Sequence, residues 1–240
     1  MAKRSQMPKT VSGNSGKARS GARKQARSPV LLWVIIGAVA LVVVGIVILQ
    51  MQSLNRAAVA GSRVTEGAAW GPVGAPVRIV EYSDFGCTYC RQFALNQGKR
   101  LQEEYEQTGD VRFEYRSFII EGASTREAAN AAYCAADQGR FWDYHDLLFS
   151  RSGSAQVQVV FSKTALKDYG AQLGLDQAQF NRCVDSGQHV PAVQNQHNEG
   201  YGLGVRATPT FFVNNQKFEG ALPYASLKSA IDAALAAAGS

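Results

Sequence analysis

The sequence predicts an α/β domain in the order β-α-β, helical insert, β-β-α, preceded by a single transmembrane helix. Three observations carry this reading. A run of 20 residues without a charge, Val30 to Leu49, stands ahead of the domain. An apolar strand breaks into a helical pattern at Cys87-Thr-Tyr-Cys90. After a long helical block the chain returns to alternating strand pattern at Thr210-Phe-Phe-Val213.

In chain order, residues 1–28 form a disordered basic tail, 29–49 an anchor, 50–75 a linker and 76–240 the domain, with its helical insert at about 122–204. The formal net charge of +6 is unevenly placed. Eight of the 25 Lys and Arg fall within residues 1–29, which hold no acidic residue. The other 17 stand against 19 Asp and Glu. The folded part therefore offers no electrostatic case for binding nucleic acid.

A run of 20 apolar residues spans about 30 Å as a helix, the thickness of a bilayer core. Trp33 lies near its start, where an interfacial aromatic sits. A cleavable signal peptide has a shorter apolar region, and the small-residue pattern Ala58-Val59-Ala60 lies far beyond the run. The expectation is an uncleaved, single-pass cell-membrane anchor. The basic N-terminus stays cytoplasmic and the domain faces the extracytoplasmic side, where disulfides persist. Residues 50–75 are poor in large apolar groups and hold six Gly and Pro between Gly61 and Pro76 when the boundary residue is included, hence the linker reading.

Within the domain, Val77–Tyr82 reads as a buried strand. The pattern from Thr88 to Gln107 predicts one helix, with Cys90, Phe93, Ala94, Gln97, Leu101 and Tyr105 along one stripe. Val111, Phe113 and Tyr115 alternate with charged residues as a strand of period two. Ser124 and Glu127 have capping-box spacing and Gly139 supplies a stop. Trp142, His145, Leu148 and Phe149 fit a second helix of the insert. Ser162 opens a third and Asp176 a fourth, which carries Phe180, Cys183 and Val184. A further helix, roughly His189 to Tyr201, is interrupted in pattern by Pro191 and Gly200. Thr210–Val213, Asn214–Asn215 and Gln216–Phe218 read as a hairpin. Pro223 opens a last helix that buries Leu227, Ile231 and Leu235.

The chemistry concentrates at Cys87. A cysteine at a helix N-terminus faces unpaired N–H groups and the positive end of the helix dipole. Both favour the thiolate, the reactive form. Cys90 follows one turn later, so Cys87 is the candidate nucleophile and Cys90 the resolving thiol of thiol–disulfide exchange. Zinc would require a second ligand pair at similar spacing. Cys134 and Cys183 are isolated, and none of the three His stands at ligand spacing from them. No metal and no cofactor is expected. In an oxidising compartment two leftover cysteines usually pair, so Cys134 and Cys183 read as a structural disulfide, with two buried free thiols as the alternative. His145 reads as a packed core histidine before a proton shuttle.

Four stretches carry a resemblance: Phe85-Gly-Cys-Thr-Tyr-Cys90, Phe141-Trp-Asp-Tyr-His-Asp-Leu-Leu-Phe149, Phe180 to Cys183, and Val205-Arg-Ala-Thr-Pro-Thr-Phe-Phe-Val213. Together they make residues 76–238 resemble the thioredoxin fold with a helical insert, and more narrowly the DsbA-like thiol–disulfide oxidoreductases in membrane-anchored form. The resemblance implies that Pro209 is a cis-proline facing the cysteine pair, with Thr208 before it. It implies that Glu81 lies buried under the pair as a proton relay for the second cysteine. It makes Thr88 and Tyr89 modulators of the redox potential. Tyr89 stands where the strongest oxidants of the family carry a histidine, which implies a weaker oxidant.

The function implied is introduction of disulfides into exported proteins, with folding protein thiols as substrates and a membrane reoxidant of DsbB or VKOR type as partner. The alternatives are a reductase or isomerase of the same fold, which Thr208 favours, and a non-catalytic binding module, which the intact cysteine pair disfavours.

Overall fold

The structure is a computed structural model that describes residues 35–36, 38–47, 50, 67–106, 108–153 and 156–239. It divides into two units, 1–51 and 52–240. In the first, residues 35–36 and 38–47 are helical, with exposed apolar side chains such as Leu41 and Val42. Among the described residues no helix is long and apolar enough to cross a membrane. The expected basic tail, part of the expected anchor and most of the expected linker lie outside the described residues.

The second unit is built on one five-stranded sheet. Its strands are β1 (Ala69–Trp70), β2 (Val77–Ser83), β3 (Val111–Ser117), β4 (Thr210–Val213) and β5 (Gln216–Glu219), in spatial order β1-β3-β2-β4-β5. β2 and β3 run parallel, from Val77 opposite Val111 to Ser83 opposite Ser117. The other three pairings are antiparallel. Between β2 and β3 lie α1 (Thr88–Gln92), a π-helical segment (Phe93–Gly98) and α2 (Lys99–Tyr105). The insert holds α3 (Ala123–Ala136), α4 (Phe141–Ser152), α5 (Val157–Val160), α6 (Lys163–Gln172), α7 (Gln177–Ser186) and α8 (Val190–Gly202). The chain ends on α9 (Tyr224–Ala238).

Alternation along β2 sets the layers. Ile79 joins Val77, Phe93, Leu101, Phe113, Phe211, Leu227 and Ile231 in one core. Val80 and Tyr82 pack on the other face with Phe118 and Val205. The largest core among the described residues joins the insert to the start of α1, taking in Phe85, Cys87, Cys90 and Tyr115, and in it five buried alanines of α3 stand among aromatic residues of its neighbours. Small side chains let α3 approach them closely.

Four expectations change. β1 falls in the stretch read as linker: Trp70 is buried, stacks on Phe113 with ring centroids 5.3 Å apart, and pairs with β3. A two-residue strand is too short to show a period. The single helix expected over Thr88–Gln107 widens into a π turn. There the Asn96 side chain donates to the Gln92 carbonyl at 2.8 Å, an acceptor that an α-helix would give to the Asn96 backbone. The capping box at Ser124 is not used. Gly122, at φ 99°, takes the cap position, and Thr125 donates to Asp84 and to the Gly122 carbonyl. The helix around Pro191 and Gly200 runs unbroken. Pro191 sits in its first turn, where no N–H is needed. At Gly200 a Cβ would meet Tyr82 and Phe118 at 2.8–2.9 Å, so glycine is what lets α8 lie against β2.

Candidate active site

The site forms where β2 ends and α1 begins. Asp84 shapes this turn. Its Oδ1 accepts from Gly86 N at 2.8 Å, and its Oδ2 accepts from Ile120 N, Glu121 N and Thr125 Oγ1 at 2.7, 2.9 and 3.1 Å. Cys87 N donates to the Asp84 carbonyl at 3.0 Å. The strand end, the turn and the entry to α3 thus share one buried carboxylate. The motif Asp84-Phe-Gly86 carries a turn signal in sequence, but nothing local announces the partners 36 to 41 residues away.

Cys87 is the N-cap of α1, with extended backbone at φ −73° and ψ 123°. Its Sγ accepts from Cys90 N at 3.4 Å and lies 3.3 Å from the Thr208 carbonyl oxygen, to which the thiol donates. Thr208–Pro209 is a cis peptide, and the loop is tied down by Gly220 N donating to the Pro209 carbonyl at 2.8 Å. Both Cys87 and Cys90 are free thiols. Thr88 and Tyr89 are exposed, Tyr89 by 59%, so the turn offers an aromatic ring to solvent beside two buried sulfurs.

The two thiols are polarised in opposite senses. The Cys90 side chain, the Thr208 side chain and the N–H groups of Cys90 and Tyr89 favour the Cys87 anion against the cost of burial, and bring its pKa down to about 6. Burial pushes the Cys90 thiol well up, and its bond to Cys87 and the charge of Glu81 add to this. One sulfur is ready to be an anion and the other to hold a proton.

Glu81 lies on β2 opposite Tyr115 and Phe211, in the middle of the sheet. It is buried and its Oε1 has no hydrogen-bond partner. Burial, opposed by Ser83 and reinforced by Cys87, raises its pKa to about 8. The structure therefore brings together Cys87, Cys90, Glu81, Thr208 and Pro209, drawn from β2, α1 and the loop before β4.

Cys134 and Cys183 lie away from this turn, joined by a disulfide between α3 and α7. His189 comes close to them: a ligand atom of each of the three lies within 4.8 Å of the others. Sequence spacing hid this neighbour. Both sulfurs are committed to the bond, and His189 Nε2 pairs with Asp137 at 2.8 Å. His145 is buried among Phe85, Tyr115, Phe141, Trp142 and Phe149.

A family model described as Thioredoxin matches residues 64–233. Among curated relatives, the Na(+)/H(+) antiporter NhaA 1 of Salinispora arenicola is 31% identical over 168 residues, which are 69% of this chain and 24% of the antiporter. The chain thus spans about a quarter of the first relatives it matches. Disulfide bond formation protein D of Bacillus subtilis is 27% identical over 173 residues, covering 68% of this chain and 74% of that one. Among solved structures, oxidised BdbD from Bacillus subtilis shares the fold with a TM-score of 0.66 at 24% identity, covering 71% of this chain and 94% of that one.

Proposed function

Because the chain belongs to the thioredoxin family, we propose that it is an extracytoplasmic, membrane-anchored thiol–disulfide oxidoreductase that introduces disulfides into exported proteins through Cys87 and Cys90. The observation that carries this is geometric: Cys87 caps α1, its Sγ accepts from Cys90 N and faces the Thr208 carbonyl at a cis peptide, and Cys90 is fully buried. The lowered Cys87 and raised Cys90 pKa follow from this asymmetry.

The mechanism follows from that asymmetry. In the oxidised enzyme a substrate thiolate attacks Cys87 Sγ and the Cys87–Cys90 bond breaks. The electron pair goes to Cys90, whose buried sulfur takes a proton, with Glu81 as the source. A second substrate thiolate then attacks the substrate sulfur of the mixed disulfide and displaces Cys87 as the thiolate. Substrate leaves oxidised by two electrons, and the pair is left reduced. A membrane reoxidant of DsbB or VKOR type would remove those electrons. An anchor at residues 29–49 would keep enzyme and reoxidant at high effective concentration. Thr208 presents its carbonyl to Cys87, where the thiol donor is lost as the thiolate forms, and Pro209 closes the wall opposite.

Magnitude bears on direction. A thiol of pKa about 6 is mostly ionised at pH 7, which stabilises the reduced form by about 1.4 kcal/mol, or about 30 mV for a two-electron couple. That is a small part of the span between thioredoxin, about −270 mV, and DsbA, about −120 mV. With Tyr89 adding no positive charge inside the motif, the expected oxidant is intermediate.

Equilibrating the full chain against glutathione, with reduced-RNase oxidation and insulin reduction assayed beside it, tests this. An intermediate potential with RNase oxidation is expected. A potential near −270 mV with fast insulin reduction and no RNase oxidation would overturn the oxidase reading. Unchanged activity in Cys87→Ser would overturn the redox reading altogether.

A further inference from the structure

The proposed exchange leaves a proton unaccounted for. Each time Cys90 takes a proton from Glu81, the carboxylate must regain one from solvent, and reoxidation sends one back. Yet Glu81 is 1% exposed. It must communicate with water through something.

Behind Glu81 is a small cavity. Its lining includes Glu81, Trp142 and His145 inside, and Lys99, Gln102 and Asp146 towards the surface. Three buried polar atoms of these inner residues have no hydrogen-bond partner: Glu81 Oε1, Trp142 Nε1 and His145 Nε2. Orphaned polar atoms are costly and uncommon in a packed interior, so three around one cavity call for a shared partner. The cavity, about 20 Å³, has room for a water molecule.

The donor and acceptor pattern suits water. Trp142 Nε1 can only donate. His145 Nδ1 lies 3.0 Å from Asp146 Oδ1. With the Nδ1 proton on that bond, Nε2 is an acceptor aimed away from Asp146. A water that accepts from Trp142 and donates to His145 keeps one lone pair and one proton for Glu81. It can meet the carboxyl in either protonation state. Its partners would number three, the usual count for a buried water.

The outer end is open. Lys99, Gln102 and Asp146 also line a surface depression of about 370 Å³ with Glu103 and Glu106. Asp146 pairs with both His145 and Lys99, the latter at 3.4 Å. The π-helical segment forms one wall through Phe93, Ala94 and Gly98. The groups with charge or titration around His145 are Asp146 on α4, Glu81 on β2, Lys99 on α2 and the Tyr115 phenol on β3. Its other neighbours are aromatic rings.

We propose that Trp142 and His145 hold water against the Glu81 carboxyl and form, with Asp146, the route by which the proton that Glu81 exchanges with Cys90 reaches solvent. This rests on the oxidoreductase reading above. It gives Trp142 and His145 a positioning role beyond packing, and a reason for a histidine inside an aromatic cage. Burial keeps the imidazole neutral by lowering its pKa, which leaves Nε2 free to accept.

The test uses the full chain with His145→Phe and Trp142→Phe, which keep aromatic bulk and delete the nitrogen, each alone and on a Glu81→Gln background. Oxidation of a dithiol peptide is followed by stopped flow in H2O and D2O. Each single change is expected to slow exchange roughly tenfold, less than loss of a direct acid or base, and to enlarge the solvent isotope effect. Neither should slow Glu81→Gln further, and the potential against glutathione should stay where it was. Slowing that adds to that of Glu81→Gln, or a shifted potential, would mark a structural role and overturn the route. So would a crystal structure of the full chain with no water within hydrogen-bond distance of Glu81, Trp142 and His145, whatever the activity. A wild-type chain that exchanges no disulfide sinks the functional reading and the route with it. An active chain unaffected by His145→Phe sinks the route alone.

Discussion

Burial raises the Glu81 pKa to about 8, with a contribution from Cys87 and against the opposing effect of Ser83, and among the described residues no cation offsets it. Glu114 on the neighbouring strand is the control. Burial pushes it up as well, but the Arg78 hydrogen bond and the charges of Arg78 and Arg116 outweigh this and hold its carboxyl at about 2. For Glu81 the native pKa of about 8 exceeds the ordinary 4.5, so between those values the folded chain binds more protons than the unfolded one. Stability therefore falls as pH rises through this window. At pH 7 the cost is roughly 3 kcal/mol. In urea denaturation of the reduced protein, Glu81→Gln should gain stability relative to wild type from pH 5 to pH 8; the lowered pKa of Cys87 favours the folded state over the same range in both proteins and cancels in the difference. Equal slopes would mean that Glu81 is ionised and solvated. The positions of Cys87 and Cys90 were legible in the sequence because a strand-to-helix break is a local pattern. That Glu81 faces inward was not, since alternation gives a side to a residue only once the partner strands are known. Asp84 was illegible for the same reason: three of its four donors come from residues 120–125.

At the scale of elements, the disulfide joins α3 to α7 across 49 residues. A loop of that length contributes up to about 4 kcal/mol in the chain-entropy account. The double change Cys134→Ala and Cys183→Ala should lower the denaturation midpoint by a corresponding amount while leaving the exchange rate of Cys87 unaltered. A slowed exchange at unchanged stability would show instead that the bond serves the site. The order of strands and helices could be read because each long element repeats its pattern over several turns. β1 has two residues and no period to read. At the π turn a side chain takes one carbonyl in place of a backbone N–H, and in place of the expected capping box of Ser124 and Glu127 the helix is capped at Gly122, with Thr125 held by Asp84. What escaped was where tertiary contacts overrule local preference.

For the whole molecule, the positive charge is confined to a tail ahead of a 20-residue uncharged run, and the rest of the chain is slightly acidic. If residues 29–49 anchor it, the full chain should sediment with membranes, resist alkaline carbonate and come away in detergent. Changing Val42 and Val43 to Lys, at about 2.5–3.5 kcal/mol each near a bilayer centre, should release it to the soluble fraction. Release of the unaltered chain by carbonate alone would rule out the anchor. Within the domain, one carboxylate links the halves. Asp84 holds the turn before Cys87 with one oxygen and the threshold of the helical insert with the other. It acts as a fulcrum: a tilt of the insert is carried through a few short hydrogen bonds to the backbone that aims the sulfur.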